Sequence, residues 1–496
     1  MNRIEVKAIL VLAILVFANV LSSIFSVRLD FTADQRYTLS DGTREILSSM
    51  EEPLMVKAYM SKDVNAQFDN HRREIMNLLE EYREISNGNI EIEVIDPNES
   101  EELEQEAQQA GIPPVNAGSQ DRTKLEVSRA YLGLIFEYGD RSDIIPFLQQ
   151  GNSIEYPITK SIKKIAYANK PKIGIVGGHG ETKISEMKQA NDEASINYEL
   201  EAVTLDSENL GDYEALAILN PKDSMGVADI RALDDYYEKG GKLFIAYTNA
   251  NVSFGGQQGQ QPPMASEREH PIESWLARKG VEVQNSLAID ANAGEIMVNQ
   301  GFFNMPVRFH YFPVVNKFGE HPISQDLKVM LLQFASEIKY TGSANFTSLA
   351  RTSEMSGSEN LPVMFNIQRQ WLESDFKGSD LSLAGALEDG DKRMVVISNG
   401  ELVFNGEGQQ GQQLQPDNVN FFVNSVDWLT QNTTLLSLRN KGVNYYPIDD
   451  SITKDEGKVA LIKSVNLLLP LLIIIIYGFV RFQARKAKRL RWKAMS

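Results

Sequence analysis

The sequence predicts an α/β chain in two lobes, carried between two membrane-spanning helices. Three observations predict it: long apolar runs near both ends, helical and strand periodicities that alternate through the interior, and a net charge of −18 spread very unevenly over 496 residues. That length exceeds one compact domain, and the apolar content suffices for more than one core.

The first run, residues 8–27, reads AILVLAILVFANVLSSIFSV. It is long enough to cross a hydrocarbon layer of about 30 Å as a helix. The second, residues 459–480, holds one charge, Lys463, near its end, where the stem can snorkel, and Pro470, which membrane helices tolerate. A secretory leader competes for the first run, because Arg3 and Lys7 form a basic start. The apolar stretch outruns the usual core of about 7–15 residues in such leaders, so an uncleaved anchor is expected. Beyond the second run come Arg481, Arg485, Lys486, Lys488, Arg489, Arg491 and Lys493 with no acid, which places residues 481–496 in the cytoplasm. Two spans return residues 1–7 to the same side. With the whole chain at −18 and the two flanks plus Lys463 carrying +9, the segment from Arg28 to Lys458 stands at −27. That segment is expected outside the cytoplasm, in the periplasm of an inner-membrane protein. Its acidity excludes a nucleic-acid face.

Residues 28–170 are expected to form the first lobe. Ser40 or Asp41 caps a short helix, LMVKAYM is a strand, and a helix from Phe68 carries Ile75, Leu78, Leu79, Tyr82 and Ile85 on one face. NIEIEVIDP alternates as a half-buried strand, and ESEELEQEAQQ is a polar helix stopped by Gly111. After Ile112-Pro113-Pro114 come two strands with a hairpin at Gly139-Asp140, then a closing helix in YPITKSIKKIAYA. This order resembles a thioredoxin-like domain, with the proline turn where that fold usually carries its cis-proline. The chain has no cysteine, so the redox chemistry is excluded along with disulfides and thiolate sites.

Residues 171–435 read as a second lobe: strands at KIGIV, YELEAVTL, YEALAILNP and KLFIAY, helices between them, then KRMVVI and a helix in NVNFFVNSVDWLTQ. Strands separated by helices predict a parallel sheet covered on both faces. An insertion at 266–386 contains the aromatic run GFFNMPVRFHYFPVV, read as core packing in preference to a stacking surface. Two Gln-Gly stretches, Gly255 to Met264 and Gly406 to Pro416, read as flexible loops at the carboxyl edge of the sheet. Residues 436–458 are a linker to the second span.

The chemistry centres on Gly177, Gly178, His179, Gly180 and Glu181, which follow the first strand of this sheet. The loop lacks the Lys-Ser/Thr of a phosphate loop, and Lys183 stands where a dinucleotide fingerprint needs its third glycine. The five histidines form no H-x-x-x-H pair and no G-x-S-x-G occurs, so neither a metal ligand set nor a nucleophile elbow is written locally. Cofactor, metal and catalytic residues are all expected to be absent. The glycines then serve a tight turn, and the loop is a candidate for binding a partner or ligand.

Several segments together carry a family resemblance: RLDFTADQRYTLSDGTREIL after the first run, GHGE after a strand, HPI opening a helix in the insertion, RMVVISNGEL followed by NFFVNSVDWL, and the proline-containing last run with its basic tail. In this order they resemble the gliding-motility-associated ABC transporter auxiliary component, GldG, over nearly the whole chain. The resemblance implies a non-ATPase periplasmic subunit held in the lipid bilayer, working with an ABC-2-type permease and, through it, a cytoplasmic ATPase. It implies that the second lobe is similar to GIFT and amidotransferase-like domains. Ser398-Asn399-Gly400-Glu401 stands where relatives carry an Asp-Ser-Asp-like turn. The rival readings are a membrane-tethered periplasmic hydrolase using carboxylates and His179, and a structural envelope protein.

Overall fold

A computed structural model describes residues 38–431, apart from 63, 122–123, 150–153, 168–169, 255–261, 300–303, 326 and 407–410, together with scattered helical positions between 457 and 483. The chain divides into two compact units, Met1–Gly442 and Val443–Ser496, and both lobes with all their sheets belong to the first. The run at 8–27, the basic residues Arg3 and Lys7, and the tail beyond Phe482 and Gln483 lie outside the described residues, as does most of 459–480; Arg481 is helical. Among the described residues no helix is long and apolar enough to cross a membrane.

The amino-terminal lobe holds a four-stranded sheet ordered Ile90–Ile95, Leu54–Met60, Leu132–Tyr138 and Arg141–Ile145. The first pair is parallel and the others antiparallel. Helices Asp41–Ser48, Ala66–Ile85 and Glu155–Ala166 share one core with this sheet, built on Ile46, Leu79, Phe136 and Ile162. Helix Glu101–Gln109 covers the other face, burying Ala107 with Tyr59, Tyr131 and Ile135. The SDGT motif has a clear local cause. Ser40 Oγ accepts from Thr43 N at 3.1 Å as an N-cap, and the buried Glu155 carboxylate accepts from Ser40 N at 2.8 Å and Thr43 Oγ1 at 2.7 Å.

Ile90–Ile95, at the sheet edge, is half-buried as its alternation predicts, with Ile90 buried and Ile92 partly buried against the core while Glu91 and Glu93 are exposed. Two sequence expectations need correction in this lobe. Residues Val115–Asp121 and Lys124–Ala130 form an antiparallel ribbon that the sequence did not announce. The cis peptide among the described residues is Leu361-Pro362, not one in the Ile112-Pro113-Pro114 turn.

The second sheet has eight strands, ordered Lys317–Phe318, Asn345–Arg351, Ser382–Asp389, Lys392–Ile397, Lys242–Ala246, Ala215–Leu219, Lys172–Val176 and Glu199–Val203. The last five are parallel to one another, and the first three extend them antiparallel. The insertion therefore does not stand apart, because three of its strands widen the sheet. Ala215–Leu219 is buried at every residue, the signature of a strand covered on both faces. Helix Pro416–Leu429 lies over one face with Phe421 and Phe422 against Phe244. Helices Val227–Glu238 and Pro271–Arg278 share the other, where Trp275 meets Tyr237 edge-on at 5.7 Å. A single 3-10 turn, Ile184–Glu186, precedes helix Lys188–Ala194.

The aromatic run packs inward where it is described. Phe309, Tyr311 and Phe312 are buried in a core with Phe334 and Phe365, while Phe302 and Phe303 lie outside the described residues. Of the two Gln-Gly stretches, most of the first is likewise outside. The described end of the second is packed, since Gln412 N donates to Asn405 O at 2.7 Å and Leu414 N to Gln189 Oε1 at 2.8 Å. The lobes are joined by residues 193–196. Lys160 Nζ meets Glu193 at 2.6 Å, Tyr156 hydroxyl donates to the same carboxylate, and Ile196 is buried in the core of the amino-terminal lobe.

Candidate functional site

In chain order the five parallel strands run 2-1-3-4-5 across the sheet. The first strand, Lys172–Val176, thus has the second on one side and the third on the other, and in such sheets ligands gather outside the carboxyl ends where the order reverses. The glycine-rich loop leaves the first strand at that point. Its ends continue the ladder to both neighbours: Gly177 N donates to Val203 O at 2.9 Å, and Thr182 N to Leu219 O at 2.8 Å. Between them the backbone turns through positive φ at Gly178, +118°, and Gly180, +72°, which glycine adopts without a steric penalty. Gly177 does not share that conformation.

The loop after the third strand folds back onto this one. Lys222 N and Asp223 N both donate to His179 O at 2.8 Å. The His179 side chain bridges a wider gap. Nδ1 lies 3.2 Å from Glu181 Oε1, and Nε2 lies 3.2 Å from Asp229 Oδ2 at the start of helix Val227–Glu238. Glu181 Oε2 also accepts from His179 N at 2.6 Å, and Asp229 Oδ2 accepts from Gly226 N at 2.8 Å. The Glu181 side chain is fully buried. Carboxylates only accept, so both ring contacts are hydrogen bonds when the imidazole carries a proton on each nitrogen. Each ring nitrogen faces a carboxylate oxygen of the protein itself. The sequence placed His179 and Glu181 together, but not Asp229, which lies fifty residues on.

A second polar layer lies behind the loop. His270 Nε2 donates to Asp223 O at 2.8 Å, and its Nδ1 accepts from Ile272 N at 3.2 Å, capping helix Pro271–Arg278. Burial holds this imidazole below the usual histidine range. Arg268 donates to Thr248 O at 3.2 Å and to Pro221 O, with its guanidinium 5.6 Å above the Tyr247 ring. Tyr247 donates to Glu273, whose carboxyl is pushed up by burial, and the phenol is itself pushed well above its ordinary value, first by burial and then by that carboxylate. Across the edge, Ser398 Oγ donates to Leu383 O at 3.0 Å and accepts from Ser336 N at 3.2 Å, and Gly400 N donates to Thr248 Oγ1 at 2.8 Å. The departure at Ser398-Asn399-Gly400 is therefore an inward, structural turn, whereas Glu401 is exposed.

Most polar groups of this edge are engaged with one another, while Asn399 Oδ1 is buried without a partner, and among the described residues no group of three or more His, Cys, Asp or Glu could hold a metal ion. Exposed residues at the tip, Gly178, Gly180, Lys222, Asp223, Ser224 and Val227, present a surface with a fixed backbone shape. Sequence reading missed a second His-Pro-Ile, His321-Pro322-Ile323, where Nδ1 again accepts from the Ile N at 3.2 Å. The repeated tripeptide was the available signal.

Several known proteins are similar to the chain. A curated protein of Borreliella burgdorferi described as uncharacterized is 21% identical over 512 residues, covering 96% of this chain and 97% of its own length. Among solved structures, the mmIFT52 N-terminal domain is 12% identical with a TM-score of 0.36, over 52% of this chain and 97% of that one. A ThuA-like protein from Parabacteroides merdae is 13% identical with a TM-score of 0.29, over 53% and 91%. Residues 33–137 match a domain model of unknown function. Residues 170–430, more than half of the chain and all of the sheet with its loops, match the model described as an ABC-type uncharacterized transport system, and the chain belongs to this family of ABC transporter auxiliary components.

Proposed function

We propose that the chain is a membrane-anchored, non-ATPase subunit of an ABC transport complex of the gliding-motility type. Both ends anchor it in the inner membrane, and a thioredoxin-like and a GIFT-like lobe stand in the periplasm. The family match over residues 170–430 carries this reading, and the two apolar runs with the basic tail supply the topology. The apolar runs pack against an ABC-2-type permease, which links the subunit to a cytoplasmic ATPase. The carboxyl edge around His179 meets a transported molecule or an envelope partner. The hydrolase reading loses ground because both His179 nitrogens are already occupied by Glu181 and Asp229.

Affinity purification of the full chain in mild detergent tests this. The expected result is co-purification of a permease and an ATPase. Recovery of the chain alone, with hydrolytic turnover that needs His179, would overturn it.

A further inference from the structure

We propose that the two His-Pro-Ile turns are paired acid-sensitive clasps, which hold the carboxyl edge and the last helix in place at neutral pH and release both on acidification. In each turn the imidazole Nδ1 is the acceptor for the backbone N–H two residues on, at 3.2 Å: His270 for Ile272 and His321 for Ile323. A proton on Nδ1 turns that acceptor into a donor and removes the clasp. This inference is independent of the transport reading.

What each clasp holds differs. His270 also donates from Nε2 to Asp223 O, so it ties helix Pro271–Arg278 to the loop that grips His179. The charged and titratable groups around it are Arg268 and Glu273 from its own segment, Tyr247 from the fourth parallel strand's end, and His179 and Glu181 from the glycine loop. His321 packs edge-on against Trp428 at 5.0 Å, and the Ile323 carbonyl that follows accepts from Asn424 Nδ2 at 3.0 Å, both on helix Pro416–Leu429. Glu388 and Arg393 are the charged groups near it. Arg393 also lies 5.0 Å from the Trp428 ring and donates to Trp428 O at 2.9 Å. One clasp thus sits at the docking edge and the other under the helix that leads into the carboxyl-terminal segment.

Burial lowers both imidazoles from the ordinary value of 6.5. As the pH falls below that value the unfolded or opened turn binds protons that the closed turn does not, so the closed state loses ground. Each such proton changes the opening equilibrium by at most about tenfold per pH unit until the closed-state value is passed.

The test is amide hydrogen exchange on the full-length protein at pH 7.5, 6 and 5, corrected for intrinsic rates. Protection of residues 270–273 and 321–325 should fall below pH 6.5 in the wild type, by at most about tenfold per unit. In the double variant His270→Asn, His321→Asn it should hold steady, because an asparagine Oδ1 caps without titrating. An equal fall in both proteins, or no fall in the wild type, overturns the proposal. Should the double variant fail to fold, the wild type alone decides: the Ile272 and Ile323 amide resonances must move with the titration of the adjacent imidazoles, and their indifference to pH would refute the clasps.

Discussion

Asn418 pairs with Leu331 through both ends of its amide. Oδ1 accepts from Leu331 N at 3.0 Å and Nδ2 donates to Leu331 O at 2.8 Å, so one side chain behaves as the next residue of a strand. Asp417 supports it, accepting from Lys328 N and Val329 N at 2.8 and 2.9 Å. Asn418→Ala should cost about 1–3 kcal/mol by leaving polar groups unpaired, and Asn418→Asp at least as much, since it sets an oxygen against Leu331 O. Urea unfolding midpoints measure this. An unchanged midpoint for the alanine variant would mean that water replaces the amide without loss.

The glycine loop separates geometry from space. Gly178→Val and Gly180→Val should each destabilise by about 1–3 kcal/mol, because a β-branched residue is forced into positive φ. At Gly180 the added Cβ also comes within 3.1 Å of the Lys222 and Asp223 side chains. Gly177→Ala, with open space around its Cβ and no positive φ, should change the melting temperature by no more than a degree or two. Equal losses at all three positions would refute a conformational role.

His179→Ala strands Glu181, which is buried and keeps only the His179 backbone N–H as a partner. A loss of about 1–3 kcal/mol in thermal or denaturant stability is expected. His179→Gln should recover part of it, since its amide can still donate to one carboxylate. Full stability in the alanine variant together with lost transport would restore a chemical role for the ring.

Ile196 belongs by sequence to the sheet lobe and by packing to the other. Ile196→Ala should cost about 2–5 kcal/mol as a core truncation. Combined with Glu193→Ala, which removes the Tyr156 and Lys160 contacts, it should split one calorimetric transition into two. A single transition in the double variant would show that the lobes unfold together for some other reason.

The parallel strands were legible because burial on both faces demands continuous apolar runs, as in Ala215–Leu219. The ribbon at Val115–Asp121 was not, because VNAGSQD has neither alternation nor β-branched enrichment and its strand character comes from pairing with Lys124–Ala130. Asn345–Arg351 and Ser382–Asp389 escaped for a related reason: their place in the sheet is set by partners far along the chain. At the site, the turn and its residues could be read locally. Asp229 could not, since a contact across fifty residues leaves no spacing rule to find.

The pairing of Leu243 with Met394 has a consequence for synthesis. These neighbouring strands are separated by about 150 residues of chain, so at about 5–20 residues per second the fourth strand waits roughly 8–30 s for the fifth to be made. Throughout that interval Lys242–Ala246, buried in the finished protein, offers a bare apolar edge, the kind of surface that nascent-chain chaperones recognise. The length of the insertion therefore acts as a timer, and shortening it would reduce the chain's dependence on such helpers during production.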